Sequence, residues 1–479
     1  MSSSFFLKKE PKSNKKRKQT LEDKKAGKLS KKFSNEANFS SSKNDEEIAS
    51  DDEYPSGNEA IGNNNNLTFS SDEAEEETPQ DKRLRLAKQY LEEIEKQELE
   101  KAKDRQLHDQ VSQRLQTEYL DSVGKLRKNI AASIDGYDVE NLVKLKHKKQ
   151  HLPLCSLALT PDGQILFSGG KTQYVLKWNL KNNRVVGMFN VEPYNEDINK
   201  GVLKRRSHVI AMCISSDMRY LALADNGKTI QIWCPKELKH LKTFHGHRDV
   251  VTCLVFRKDT HELYSGSNDR SVKIWSLDEM AYVESLFGHQ AGVTGIDALA
   301  RERAISSGGP DCSLRIWKIT EESQLIYNGH QDRVESVKFL NEENFISSGT
   351  DGSLCLWSAL KKKSLHTEIL SHGQQANGDA NWLTAIACVV NTDLIASGSC
   401  DGFIRLWQAC DHHRKLKQIL KIPVEGFVNS LTFNQEGTRL FAALGQEHRL
   451  GRWLRLSEGK NQIVIIDLLR NQTRKDANK

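Results

Sequence analysis

The chain lacks the features that would fasten a small secreted fold or carry common cofactor chemistry. Its nine cysteines fall between Cys155 and Cys410, an odd number with no C-x-x-C pair. That usage fits buried free thiols in a reducing compartment better than disulfides. Cys410, His412 and His413 stand close together in sequence. They lack the second cysteine pair of a zinc site, so no metal is expected. No apolar run is long enough to span a membrane, and the start "MSSSFFLKKEPK" has no signal-peptide apolar region. The expectation is a soluble intracellular protein without a membrane partner. There is no phosphate-binding G-x-x-x-x-G-K-[ST] loop, no G-x-G-x-x-G fingerprint and no H-E-x-x-H. No cofactor and no small-molecule substrate are therefore expected, and an enzyme is the weaker functional class.

What is present is uneven. The formal net charge is +6, yet residues 1–150 carry 29 basic against 29 acidic side chains and residues 151–479 carry 41 against 35. The excess positive charge belongs to the second part, which suggests a local basic face. Residues 1–78 are polar and biased. The basic cluster Lys15, Lys16, Arg17 and Lys18 precedes acidic runs such as "NDEEIASDDE" and "SSDEAEEE". Such a segment buries too little apolar surface to offset the entropy of ordering, so it reads as a disordered tail with a nuclear localisation signal. At "TPQDKRLRLAKQYLEEIE" the texture changes. Thr78 can cap a helix that Pro79 opens, and Leu84, Ala87, Leu91 and Ile94 follow at helical spacing, continued by Leu107, Val111 and Leu115. This pattern predicts a long amphipathic helical segment over residues 79–134, its narrow apolar stripe meant for a partner.

From residue 139 short β-branched and apolar runs alternate with Gly, Asn and Asp turns, up to about residue 470, leaving 471–479 as a C-terminal tail. Trp178, Trp233, Trp275, Trp317, Trp357, Trp407 and Trp453 recur every 40 to 55 residues, while Trp382 lies in an insertion. A period of this size, with "GH" early and "W" late, is that of a WD-repeat β-propeller. The expected fold is all-β, with seven blades. Within the repeats a Ser, a His and an Asp invite comparison with a hydrolase triad. However, His247, Ser265, Asp269 and Trp275 recur as His289, Ser307, Asp311 and Trp317, as His330, Ser347, Asp351 and Trp357, and as His372, Ser397, Asp401 and Trp407. A catalytic set occurs once, whereas a structural one recurs with the fold, so these tetrads are expected to staple strands inside each blade. The first, second and seventh repeats depart from the pattern, with Thr172, Gly227 and Glu447 at the Asp position and Asp225 close to the second. Ring closure is assigned to "VENLVKL" (139–145), with "QIVIID" (462–467) as the rival.

Function must then come from loops on the faces of a rigid disc. The loops opening the repeats carry Arg205, Arg206, Arg248 and Arg333, and the last repeat carries Arg449 and Arg452 in "GQEHRLGRW". Guanidinium groups can bridge phosphates or stack on unpaired bases, so these six are the candidate RNA-facing residues.

The segments "DKRLRLAKQYLEEIE", "FGHQAGV", "EESQLIYNGHQDRVE", "NTDLIASGS" and "GFVNSLTF" followed by "GQEHRLGRW" resemble, in order over residues 79–470, the WD-repeat protein family specific to the U3 small nucleolar ribonucleoprotein. The resemblance implies a non-catalytic nucleolar protein of pre-rRNA processing and small-subunit biogenesis. It implies binding to the box B/C element of U3 small nucleolar RNA beside a kink-turn-binding protein, with the box C/D core proteins and the small-subunit processome as further partners. The alternative is a nuclear WD-repeat scaffold that binds proteins without touching RNA.

Overall fold

The computed structural model describes residues 83, 85–94, 107–122, 127–139, 142–191, 207–375, 377–411 and 413–470. The basic cluster Lys15–Lys18, the tails at 1–78 and 471–479, and Arg205 and Arg206 lie outside these residues.

Seven antiparallel sheets stand around a central channel. Blades one to six are four-stranded and occupy 154–190, 209–244, 251–287, 293–328, 334–368 and 383–423, each running in chain order from the channel outwards. The seventh takes its three inner strands, Phe427–Phe433, Arg439–Gly445 and Gln462–Arg470, from the end of the chain. Its outer edge comes from the N-terminal side, as Ile134–Tyr137 and Val143–Leu145 both pair with Gln462–Arg470. Both sequences considered for ring closure therefore belong to this blade, with 462–467 inside and 143–145 outside. The propeller begins at Ile134, within the span expected to be helical. Residues 85–94 and Leu107–Ser122 are helical. Beyond them Asp393 takes over: its Oδ1 accepts the backbone N–H groups of Ile130 (2.7 Å) and Ala131 (2.9 Å), fixing the turn that leads into the closing strands. Ile94 and Val111 of the expected stripe are buried, whereas Leu91 is exposed.

The repeating sequence features have direct packing causes. A glycine on the second strand lets the next blade approach. A Cβ at Gly266 would stand 2.6 Å from Val293 Cγ1, and one at Gly398 would stand 2.3 Å from Val428 Cγ1. Each inner strand shifts register near its start, as between Val251 and Cys253 and between Val293 and Gly295. The bulged residue is thereby turned towards the neighbouring blade. Thr294 Oγ donates to the carbonyl of Val334 (2.6 Å), Thr384 to that of Val428 (2.5 Å), and Thr252 to that of Val293. Asn429 Nδ2 closes the circle from blade seven to blade one through Leu154 O at 2.8 Å.

On the face carrying the turns between first and second strands, His261 of blade three sits between two carboxylates. Its Nε2 lies 2.9 Å from Asp217 Oδ2 of blade two and its Nδ1 2.5 Å from Asp278 Oδ1. The Asp217 hydrogen bond, ahead of the Asp278 one, raises the imidazole above its ordinary range against partial burial. Burial works against the Asp217 carboxylate, but hydrogen bonds from Ser215, Arg219 N–H and His261 hold it down at about 2. The raised group stabilises the fold fully below the unfolded histidine value near ~6.5, and that contribution fades as pH rises through the raised folded value. The gap in melting temperature between wild type and His261→Gln should therefore be larger at pH 5.5 than at pH 9. An equal gap at both would remove the charged clamp.

A candidate nucleic-acid interface

The face opposite that clamp carries the connections between blades and the turns between second and third strands. The repeated Ser/His/Asp/Trp sets lie beneath it. In blade three His247 Nδ1 meets Asp269 Oδ2 at 2.8 Å, Nε2 meets Ser265 Oγ at 2.7 Å, and Trp275 Nε1 donates to the same Oγ at 2.8 Å. Blade five repeats this with His330, Ser347, Asp351 and Trp357, and blade six with His372, Ser397, Asp401 and Trp407. The His247 and Asp269 side chains are only 1% and 7% exposed. Asp311 shows why the carboxylates stay charged. Burial opposes ionisation, but hydrogen bonds from His289 and from the N–H groups of Ser313 and Gln290 hold it at about 2. A serine oxygen that takes an indole N–H and faces a buried imidazole has no path to a substrate. These sets are staples.

Blade four requires one correction. Its serine is Ser306: His289 Nε2 meets Ser306 Oγ at 2.7 Å, and Trp317 Nε1 donates to it at 2.8 Å. Ser307 instead meets Thr294 Oγ at 3.0 Å. His and Asp are 22 residues apart in both blades three and four. However, the turn 299–302 is shorter than the equivalent 257–261, and the turn before Asp311 is correspondingly longer. The two changes cancel in the spacing and move the serine by one place.

The irregular repeats solve the same problem with other groups. In blade one Trp178 Nε1 donates to Ser168 Oγ (2.8 Å), whose hydroxyl meets Gln150 Oε1 (3.0 Å), so a glutamine replaces the histidine. In blade two Asp225 collects Gly227 N–H, Thr229 and Gln231, and Gln231 accepts the Trp233 indole at 3.3 Å. In blade seven the expected tryptophan is not in the sheet. Ile466 pairs with Leu440 as Trp317 pairs with Ala304. Trp453 lies on the connection 446–461, 58% exposed.

That connection organises the face. The bulged residue of blade five's inner strand is Glu335, at the position where blade four has Thr294. Arg449 reaches across the channel, of about 410 Å³, and donates from Nη2 to the carbonyls of Glu335 (3.2 Å) and Thr294 (3.4 Å). Its side chain is 14% exposed and lies 3.8 Å from the Glu335 carboxylate. Arg333 Nε pairs with the other oxygen of that carboxylate at 2.7 Å. Glu447 binds Lys171 (3.2 Å) and Arg452 (3.1 Å), and Lys171 also donates to Gly451 O at 3.1 Å. Burial, and then Arg449, Arg333 and Lys171, push His448 down to about 3, so it stays neutral in a positive field.

Of the six candidate arginines, the structure brings Arg333, Arg449 and Arg452 together around this connection. Arg452 is 68% exposed and can meet a ligand while its Nε stays on Glu447. Arg449 is spent within the protein as a latch. Arg248 is exposed on another connection, its backbone N–H held by Asp269 at 3.0 Å. Lys171 escaped sequence reasoning because its place beside Glu447 depends on blade one closing against blade seven. The Glu335 break in a run of bulged threonines was the available signal for Arg449.

Four stretches, 238–276, 281–318, 321–358 and 371–408, match the model of the family described as WD domain, G-beta repeat. A human protein named U3 small nucleolar RNA-interacting protein 2 is 48% identical over 400 residues, covering 82% of this chain and 83% of its own. The mouse protein of that name is 49% identical with the same coverage. A solved structure described as "Structure of U3-55K" superposes with a TM-score of 0.65 at 41% identity, covering 70% of this chain and 100% of that one. Identity at this level over 82% of the chain and 83% of the relatives means that the chain belongs to the U3 small nucleolar RNA-interacting protein 2 family of WD-repeat proteins.

Proposed function

We propose that this protein is a non-catalytic component of the U3 small nucleolar ribonucleoprotein that binds U3 small nucleolar RNA at its box B/C region and acts in pre-rRNA processing in the nucleolus. Family membership supports the assembly, and the named relatives interact with that RNA by their own description. The observation that carries the RNA reading is the cationic rim of the connection 446–461. There Arg449, Arg333 and Lys171 face the buried His448 and keep it neutral, and Arg452, 68% exposed, extends the array towards solvent. Guanidinium and ammonium groups in such an array neutralise phosphates and release counterions. The kink-turn-binding protein, the box C/D core proteins and the small-subunit processome are the partners this role entails.

The division of labour among the arginines follows from geometry. Arg452, Arg333 and Arg248 meet phosphates, and Arg449 holds the connection in place. Replacing Arg248 or Arg452 by Gln should leave melting unchanged, whereas Arg333→Gln should lower the melting temperature by removing the nearer partner of the buried Glu335 carboxylate. Each replacement should reduce the slope of log affinity against log salt by about 1. Crosslinking in cells followed by sequencing of the attached RNA should recover box B/C fragments. An empty or diffuse RNA profile would favour a scaffold that binds only proteins.

A further inference from the structure

Two tryptophans stand outside the blade pattern, and the fold brings them to one place. Trp382 ends the connection into blade six, where its carbonyl accepts Ser399 Oγ–H at 2.6 Å. Trp453 comes from the connection 446–461. Both line a cleft of about 250 Å³ together with Asp332, Arg333, Glu335, Thr350, Thr384 and His448. We propose that this cleft between Trp382 and Trp453 seats one unpaired nucleobase of the bound RNA, turned out of its stack. The proposal rests on the RNA-binding reading above and names the chemistry of its most specific contact.

The reasons are size, ring geometry and charge. The cleft is smaller than the usual pocket for a drug-sized ligand, so it suits one ring system. One face of Trp453 is already supported: the His448 ring lies 5.2 Å away at 40°, and a Cβ at Gly451 would fall 1.8 Å from Trp453 Cζ3. Gly451 is thus the residue that lets the indole fold back over its own chain. An indole backed in this way yet 58% exposed is a preordered stacking platform. His448 Nδ1 accepts the Leu450 N–H at 3.3 Å, so the neutral ring carries its proton on Nε2. A donor, the Thr350 hydroxyl and the Arg333 guanidinium thus line the cleft for a base edge and its phosphate.

A cationic peptide side chain would need free carboxylates instead. Glu335 is taken by Arg333 and Arg449, and Glu447 at the rim by Lys171 and Arg452. Asp332 is left as the one carboxylate lining the cleft outside these ion pairs among the described residues. Of these cations only Arg333 lines the cleft, beside Asp332 and Glu335, and a cationic ligand is disfavoured because Glu335 and Glu447 already have their partners.

The test combines protein variants with abasic RNA. A box B/C RNA is made with each unpaired nucleotide replaced in turn by an abasic unit, and its affinity is measured for wild type, Trp382→Ala, Trp453→Ala, Trp453→Phe and Gly451→Ala. At one position, loss of the base should weaken wild-type binding about tenfold, within the range for a stacked base. Trp453→Ala and Gly451→Ala should weaken the intact RNA by a similar factor, Trp453→Phe much less, and abasic loss at that position should add nothing in Trp453→Ala. If no abasic position couples to either tryptophan while Arg452→Gln still lowers the salt slope, the base seat is wrong and the RNA surface stands. A cleft that instead holds a peptide would show the same uncoupled RNA result, with the tryptophan variants losing a protein partner. Wild-type protein that binds no RNA would overturn the functional reading itself.

Discussion

Trp357→Ala should destabilise the propeller by about 3–5 kcal/mol, while Trp453→Ala should change it by no more than about 0.5 kcal/mol. Both tryptophans occupy the last position of a repeat in the linear sequence. Trp357 is 0% exposed, lies parallel to Phe345 at 5°, meets Tyr327 edge-on, and donates to Ser347 Oγ at 2.8 Å. Its removal leaves a cavity and takes the indole N–H away from Ser347 Oγ, which keeps only His330 Nε2 at 2.6 Å, and both changes carry a cost. Trp453 has solvent on one face and only His448 and Gly451 behind it. Thermal and urea melts of the two variants decide the matter. Equal shifts would mean that the staple account of the repeats is wrong.

The second large effect concerns ring closure. A chain beginning at residue 146 should lose its cooperative melting transition, whereas one beginning at Arg127 should melt within a few degrees of the full chain. The shorter chain lacks both strands that cover Gln462–Arg470, exposing the edge of a strand whose Ile463 and Ile465 are buried. An uncovered apolar edge invites pairing with other chains. It also lacks Ile134 and Leu145, buried in the seam between the last blades and the first. The chain starting at Arg127 keeps these strands, its Arg127–Glu343 pair and the Asp393 anchor. Scanning calorimetry with light scattering would separate the cases, and a soluble, cooperatively folding 146–479 chain would refute closure by these strands.

Legibility followed the range of the interactions. Blade number, strand texture and the three tetrads of blades three, five and six could be read from the sequence, because each depends on alternation and spacing within some forty residues. Blade four was misread by one serine because two turn-length changes cancel between His289 and Asp311, which linear spacing cannot resolve. The seventh blade was misread at Trp453, since its real core residue at that position, Ile466, carries no repeat signature, although its closing strand at 143–145 lay in the segment assigned to ring closure.

The sequence by itself determined that this protein is a propeller of seven repeats and which family it resembles, since periodicity and motif order are properties of the chain. Only the tertiary structure decided which charges are available to a ligand. Arg449 and Arg452 are three residues apart, yet one is latched across the channel to Glu335 and the other extends into solvent. That difference arises when blade seven's connection crosses to blades four and five, over separations of 114 and 155 residues. The Trp382–Trp453 cleft has the same origin, because it forms where the connection 446–461 meets the entry to blade six and the loops of blade five.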